Sequence, residues 1–598
     1  MKIKQKKRQE ISSEYKWNLD DLYTSETDWR KDVNIVATEF ETLANFQNKL
    51  TTGEALKSCL NKYFAVKTTI DRIFVYAKMK LDENTTISSS QGMLDTAKST
   101  QVKFNTTTAF IKPEILALDI NTINNFITTT PSLEIYKQYL NNIMRAKAHT
   151  LNADMEKLLA NTGDVYSAPY HIAEMLRNAD MQFGYITGEN GSMVEITHSR
   201  YSALLQSPNR RIRKDAFETY YSAYDKLKNS YAATLSSNIK KEICIARTRK
   251  HKSTLDASLF EYNIPRTVYE QLIETVNEFI PTLHRLVAIR KKALMLDELH
   301  IYDNYMPLIN QTDTKITYTN AKKKLVDGLA PLGKDYVNTM QKGMESGWID
   351  VYSNEGKRSG AYSWGTPSSH PYVLLNYEDR LDDMFTLAHE MGHAMHSHYA
   401  WSNQPKVYAE YSIFLAEIAS TVNETLLMEY MLQTTTDPKT RMYLLGEYIN
   451  RFKNILFVQT MFAEFELITH SMAEKEEPLT VETFNKVYQE LNMKYWGSDM
   501  VIDEQFNLGW AKTPHFYRSF YVYQYATGYS AAIALTKRLQ SGDSQALEDY
   551  LNFLKAGSSD YPINILKKVG VDMSTAKPVH EALQVFEGLV SEMELYFK

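Results

Sequence analysis

Apolar residues recur at spacings of three and four along most of this chain, the period of a helix with one face turned to a core. Val36, Phe40, Leu43, Phe46 and Leu50 begin the pattern, and similar stripes continue to about residue 178. There it breaks. Two short apolar runs, Met181–Ile186 and Met193–Ile196, flank Gly188-Glu189-Asn190-Gly191. Asn-Gly between such runs predicts a β-hairpin, because both residues tolerate positive φ. Ser207-Pro208-Asn209 opens further helical sequence that runs, with interruptions, to about residue 345.

Residues 348–377 differ in kind. They are rich in Gly, Ser and aromatics and hold two strand-like stretches, Gly360–Gly365 and Tyr372–Tyr377, before a helix expected from near Asp382. No repeat of fixed period and no low-complexity linker occurs. The length, 598 residues, allows about four domain-sized units. The pattern supports only two regions: 1–200, helical and ending in the hairpin, and 201–598.

Composition sharpens the fold class. Gly is 22 and Pro 16 of 598 residues, below the usual ~7% and ~5%, so turn-formers are scarce and a mainly α protein is expected. Hydrophobic residues at 43% and aromatics at 12% exclude a largely disordered chain. Lys plus Arg is 67 against 72 Asp plus Glu, a net charge of -5, which argues against a protein that grips nucleic acid by its phosphates. The two cysteines, Cys59 and Cys244, lie too far apart for a metal motif and are too few for a disulfide scaffold. No apolar run is long enough to span a membrane, and the leader Met1–Arg8 has no signal-peptide core behind it. A solvated basic tail and a cytoplasmic address are the expectations.

The chemistry begins at His389-Glu390-Met391-Gly392-His393. On a helix, positions four apart are separated by about 6 Å of rise and about 40° of rotation, so His389 and His393 can converge on one metal ion. Glu390 is turned aside from that face, where it can take a proton from a water molecule. Chance supplies this pattern only about 0.02 times in a chain of this composition. A catalytic zinc needs a third protein ligand. Position 399, where a metzincin carries its third His, is Tyr, which rejects that class. His396 lies seven residues from His389, about 10 Å of rise, and reads as a packing or supporting residue. Glu410, Glu417 and Glu424 are spaced by sevens beside an apolar stripe of Phe414, Ile418, Val422 and Leu426. Spacing alone does not choose among them.

The segment His389–His396, followed 24 residues after His393 by Glu417 within Ala416–Thr421, resembles the thimet-oligopeptidase-like zinc peptidases and is most similar to their bacterial oligoendopeptidase F branch. Tyr15–Tyr23, Lys357–Tyr362 and Pro514–Tyr517 carry the likeness over almost the whole chain. The resemblance implies one zinc ion held by His389, His393 and Glu417, with Glu390 as catalytic acid/base. It implies an almost wholly helical, bowl-like body whose deep channel admits short unstructured peptides and excludes folded proteins. It further implies that His515 and tyrosines near it stabilise the oxyanion. Tyr517, Tyr521 and Tyr525 follow at helical spacing, and Tyr521 and Tyr525 fit the family segment once one residue is inserted after His515. Where the broader glutamate-zincin pattern has Asp four residues after the ligand Glu, this chain has Thr421. Metal-bound imidazoles need a partner on their other nitrogen, and Glu424 is the candidate.

Two other signals lead elsewhere. Gly328–Asp335 imitates a phosphate loop but ends in Asp where Ser or Thr must hold magnesium. Arg210-Arg211-Ile212-Arg213-Lys214 reads as a solvated helix face, or as an anchor for a peptide carboxylate. The expected protein is therefore a zinc endopeptidase of short oligopeptides. Its rivals are an exopeptidase on the same scaffold and a helical binding protein with a non-catalytic metal.

Overall fold

The computed structural model describes residues 5–308 and 315–597. Helices dominate, as the scarcity of Gly and Pro implies, and strands form only three small sheets among the described residues. The chain divides into two compact units, and neither is a continuous stretch. The first takes residues 1–148, 314–430 and 535–570, the second 149–313, 431–534 and 571–598. The units are thus interleaved in sequence instead of lying on either side of residue 200. Packing gathers segments that are hundreds of residues apart, which local periodicity does not register.

In the first unit, helices Glu26–Ala44, Gly53–Glu83 and Ser88–Thr108 share one core. Val36 and Leu43, from the opening stripe, are buried in it. Tyr372 and Leu374 enter the same core. They belong to a three-stranded sheet of order β4-β6-β5, with β4 Ile349–Asp350, β5 Tyr362–Trp364 and β6 Tyr372–Leu374. β4 runs parallel and β5 antiparallel to β6. β5 is therefore an edge strand, and β6, the other strand-like run, is central. The Tyr362 hydroxyl donates to the buried Asp82 carboxylate at 2.8 Å, tying the edge strand to the N-terminal helices.

Met1–Lys4 of the basic leader lie outside the described residues. The rest of the leader is not a free tail. Arg8 pairs with Asp350 at 2.6 Å and Glu83 at 2.9 Å, and Lys357 reaches the same Asp350 at 2.6 Å. A carboxylate buried at the end of β4 needs such cations, and the leader supplies one.

In the second unit the hairpin is present: β1 Tyr185–Thr187 pairs antiparallel with β2 Met193–Glu195, Ile186 opposite Val194. Only Gly191 takes positive φ, at 77°. Asn190 serves through its side chain, accepting from the Ser192 N–H at 3.1 Å. Helix Arg210–Thr248 starts where Ser207-Pro208-Asn209 places it, with Asn209 accepting from the Arg211 N–H. Its basic cluster is a solvated face only in part: Arg211 and Lys214 are exposed, whereas Arg213 is buried and bonds Asp303 at 2.8 Å, and Arg210 bonds the same carboxylate at 3.0 Å. These charges neutralise a fully buried acid, so neither serves as an anchor for a peptide carboxylate. A third pair of strands, β3 Leu299–His300 and β7 Met500–Val501, is parallel.

Candidate active site

The helix expected from near Asp382 spans Leu381–Asn403. Its start is closed by the Asp383 carboxylate, which accepts from the N–H groups of Glu378 at 2.8 Å and Arg380 at 3.0 Å. Leu387, Ala388, Met391, Ala394 and Met395 are fully buried, which fixes the helix's rotation and turns His389 and His393 together to the opposite side. Helix Ile413–Thr434 crosses this one, and Gly392 marks the contact. A Cβ on Gly392 would lie 2.5 Å from the Ser420 Cα and 2.7 Å from the Ala419 carbonyl oxygen. Asn423, buried, locks the pair: its side-chain N–H donates to the Ala388 carbonyl at 3.1 Å while its oxygen accepts from the Tyr336 hydroxyl at 2.9 Å.

This crossing brings three ligand atoms together. His389 Nε2 and His393 Nε2 are 3.1 Å apart, and Glu417 Oε2 is 3.5 Å from each. Ligands held tetrahedrally at ~2.0–2.1 Å from zinc stand roughly 3.3–3.4 Å from one another. Among the described residues this is the sole group of His, Cys, Asp or Glu with metal-like geometry. The donor set agrees. His389 Nδ1 lies 2.6 Å from Glu424 Oε1, and a carboxylate there keeps the proton on Nδ1 and leaves a lone pair on Nε2. That lone pair converges with a carboxylate oxygen and a second imidazole, an arrangement that calls for a cation. The residues fit a divalent ion.

Glu417 is stabilised as a carboxylate. Burial pushes its pKa up, but the bond and charge of His393, the charge of His389 and the Ser420 hydroxyl overcome that and bring it to about 2. The Ser420 hydroxyl donates to Glu417 Oε2 at 3.2 Å. Glu390 behaves oppositely: burial raises its pKa, Glu417 adds to the rise, and the two imidazoles and the Ser363 N–H only partly offset it. Ser363 belongs to β5, so the edge strand runs directly beside this carboxyl group.

Of the three candidate carboxylates, Glu410 is not on the shared face, because the helix begins at Ile413, three residues later. It lies instead ahead of the helix with an exposed side chain, where desolvation raises its pKa and the charge of Lys67 partly offsets the rise. His396 packs: its ring stacks on Tyr411 at 3.7 Å, and burial together with the charge of His393 lowers its pKa to about 3. Sequence reasoning misses Gly392, Ser420, Asn423 and Tyr411. A glycine in the middle of a helix is the one local signal among them, since it is retained there chiefly for close packing.

His515, Tyr521 and Tyr525 form their own group, within the second unit. The rings of His515 and Tyr521 lie parallel within 3° at 6.4 Å, Tyr525 stands perpendicular to both, and its hydroxyl donates to that of Tyr521 at 3.4 Å. Burial, then the charge of Arg177, lowers the pKa of His515. Tyr517 is engaged elsewhere, its hydroxyl 2.7 Å from that of Thr234 on the long helix.

A helical chain with a His-Glu-x-x-His helix, a carboxylate from a crossing helix and an adjoining edge strand belongs to the class of helical metallopeptidases. The sequence pattern of peptidase family M3 matches residues 203–585, and that of Oligopeptidase F matches 114–183. The chain belongs to peptidase family M3. It is 42% identical to Oligopeptidase PepF of Bacillus subtilis over 98% of this chain and 88% of that protein. It is 39% identical to Group B oligopeptidase PepB of Streptococcus agalactiae over 98% of both. The crystal structure of oligoendopeptidase-F from Enterococcus faecium superposes with a TM-score of 0.74 at 35% identity, covering 95% of this chain and 99% of that one.

Glu424 carries a prediction. Glu424→Ala removes the acceptor that fixes the His389 tautomer, and affinity for a divalent metal ion is expected to fall about 10–100-fold, the usual cost of losing such a partner. Titration against a competing chelator measures it; an affinity equal to the wild type's would show that Glu424 does not support the ligand.

Proposed function

We propose that His389, His393 and Glu417 hold one zinc ion and that the protein is an endopeptidase of short, unstructured oligopeptides. The convergence of three ligand atoms beside a buried glutamate carries this reading, and the relatives named as oligopeptidases and oligoendopeptidases support it. When bound, zinc supplies the positive charge that makes a water molecule acidic near neutral pH and polarises the scissile carbonyl. The chain's own residues do the rest. Glu390 takes the proton of the attacking water and delivers it to the leaving amine. The site around Glu390 is dry enough to hold its pKa up, which suits a group that must release the proton again. Glu424 keeps His389 in the tautomer that leaves Nε2 free. The edge of β5 pairs with the backbone of an extended peptide, and this selects unfolded segments. His515, Tyr525 and Tyr521 donate to the carbonyl oxygen as negative charge gathers on it.

No helix among the described residues is long and apolar enough to cross a membrane. Cys59 and Cys244 are unpaired, which suits a reducing compartment, and we assign the activity to peptide turnover in the cytoplasm.

The test is an internally quenched peptide blocked at both ends, offered to metal-stripped protein before and after zinc is restored. Cleavage that returns with zinc is expected. Hydrolysis confined to peptides with a free terminus would turn the assignment to an exopeptidase.

A further inference from the structure

Between His515 and Tyr521 the chain makes a turn that the sequence does not favour. Phe520 has φ of 56°, in the left-handed region, where a residue with a bulky side chain is an outlier. Such a conformation persists only where its surroundings over-determine it. Here the surroundings come chiefly from one helix, Gln459–Glu474, with Tyr269 packed on the Phe520 ring at 5.7 Å and the Ser258 hydroxyl donating to the Ser519 carbonyl at 3.5 Å. Glu466 Oε1 accepts from the Phe520 N–H at 2.8 Å. One turn on, His470 Nδ1 donates to the Glu466 carbonyl at 2.9 Å, which leaves its Nε2 to accept from the Ser519 hydroxyl at 3.2 Å. The His470 ring also lies against Phe520, at 4.5 Å. On the other side of the turn Phe516 packs on Phe465 of the same helix at 4.8 Å.

Glu466 is an unusual choice for this position. It is 1% exposed, and its second oxygen has no hydrogen-bond partner. Burial pushes its pKa well above the usual carboxylate range. A buried carboxyl with half of its bonding capacity unused is costly, and its one described bond is to the strained residue. Its effect is to fix the turn, and with it the parallel setting of His515 and Tyr521 and the perpendicular Tyr525.

We infer that Glu466, assisted by His470, is a positioning residue that holds the Ser519–Phe520 turn in its strained form and so aims the oxyanion donors His515, Tyr521 and Tyr525. The inference rests on the proposed role of those donors, and the experiment separates the two. Zinc-loaded full-length protein is assayed on the doubly blocked peptide as wild type, Glu466→Gln, Glu466→Leu, His515→Ala and the double variant His515→Ala/Glu466→Leu. Gln keeps an oxygen for the Phe520 N–H and is expected to retain kcat within about twofold. Leu loses that bond, and kcat is expected to fall about 10–100-fold, the scale of a small misplacement of catalytic groups, with KM and zinc content unchanged. In the double variant the loss due to Leu is expected to be smaller than in the presence of His515, because one of the three aimed donors is already gone and coupled residues are not additive.

A wild-type kcat in His515→Ala overturns the oxyanion role and this inference with it. If His515→Ala is impaired, the inference alone is overturned by any of three results: Leu without effect, Gln as damaging as Leu, or losses that multiply in the double variant. Should Glu466→Leu fail to fold, Ser519→Ala removes only the second anchor. A fall of about threefold in kcat at constant KM is then expected, and an unchanged kcat overturns the inference.

Discussion

Glu390→Gln is expected to lower kcat on the blocked peptide about 10²–10⁴-fold, the range that a positioned general acid/base contributes, while metal content stays at the wild-type level. Gln has the shape of Glu and can still accept from the Ser363 N–H that Glu390 engages, so the helix crossing and the ligand triangle are undisturbed. What disappears is the ability to take up a proton. The buried environment raises the pKa of Glu390, which means that folding works against its charged form. Replacing it with a neutral isostere therefore leaves thermal stability equal or slightly higher. Loss of activity with retained metal and retained stability is a combination that neither a folding defect nor a loss of the ion can produce. Full activity in this variant would instead favour a binding protein with a non-catalytic metal. The measurements are kcat on the quenched peptide, metal analysis of the same sample, and a melting curve.

The reasons why some of this site can be read from the sequence and some cannot are physical. His389 and His393 are legible because helical geometry alone puts residues four apart on one face, and Glu390 because one step of rotation sets it beside them. The hairpin at Gly188–Gly191 is legible because positive φ restricts which residues can turn the chain. Glu417 is less so: a seven-residue spacing marks a face only while the helix lasts, and the helix starts after Glu410. Choosing between Glu417 and Glu424 takes the tertiary crossing, which gives one to the metal triangle and the other to His389 Nδ1. Arg8 and Arg213 look solvated in the sequence for a related reason. Their partners Asp350 and Asp303 are 342 and 90 residues away, and a buried ion pair of that kind leaves no local period. The interleaving of the two units is the same effect on a larger scale. Phe520 is the extreme case, because nothing in Ser519-Phe520-Tyr521 announces left-handed backbone; a carboxyl from another helix imposes it.

Gly392→Ala is the smallest change expected to dismantle the metal site. The ideal Cβ would stand 2.5 Å from the Ser420 Cα, 2.7 Å from the Ala419 carbonyl oxygen and 2.8 Å from the Ser420 N. All three atoms are backbone, within a helix whose own hydrogen bonds hold them, so no side chain can rotate away. The methyl group can be accommodated only if the two helices separate by about 1 Å or rotate. Ala is otherwise the better helix former by roughly 1 kcal/mol, so any loss of stability measures the crossing and not helix propensity. Overpacking of this kind costs about 1–3 kcal/mol, read as a fall in the urea midpoint at constant m-value. The functional loss is larger. Glu417 lies one turn before Ser420 on the displaced helix, and Asn423, which ties that helix to Ala388, lies one turn after. Moving this helix opens the ligand triangle on its Glu417 side, and a shift of ~1 Å is a large fraction of a ~2.0–2.2 Å metal–oxygen bond. Zinc affinity and kcat/KM are each expected to fall at least about 100-fold. Excess zinc should restore part of the activity, because the ligands remain present and only their spacing has changed. If Gly392→Ala binds zinc and cleaves the peptide as the wild type does, the close approach of the two helices is not what sets the geometry of the site.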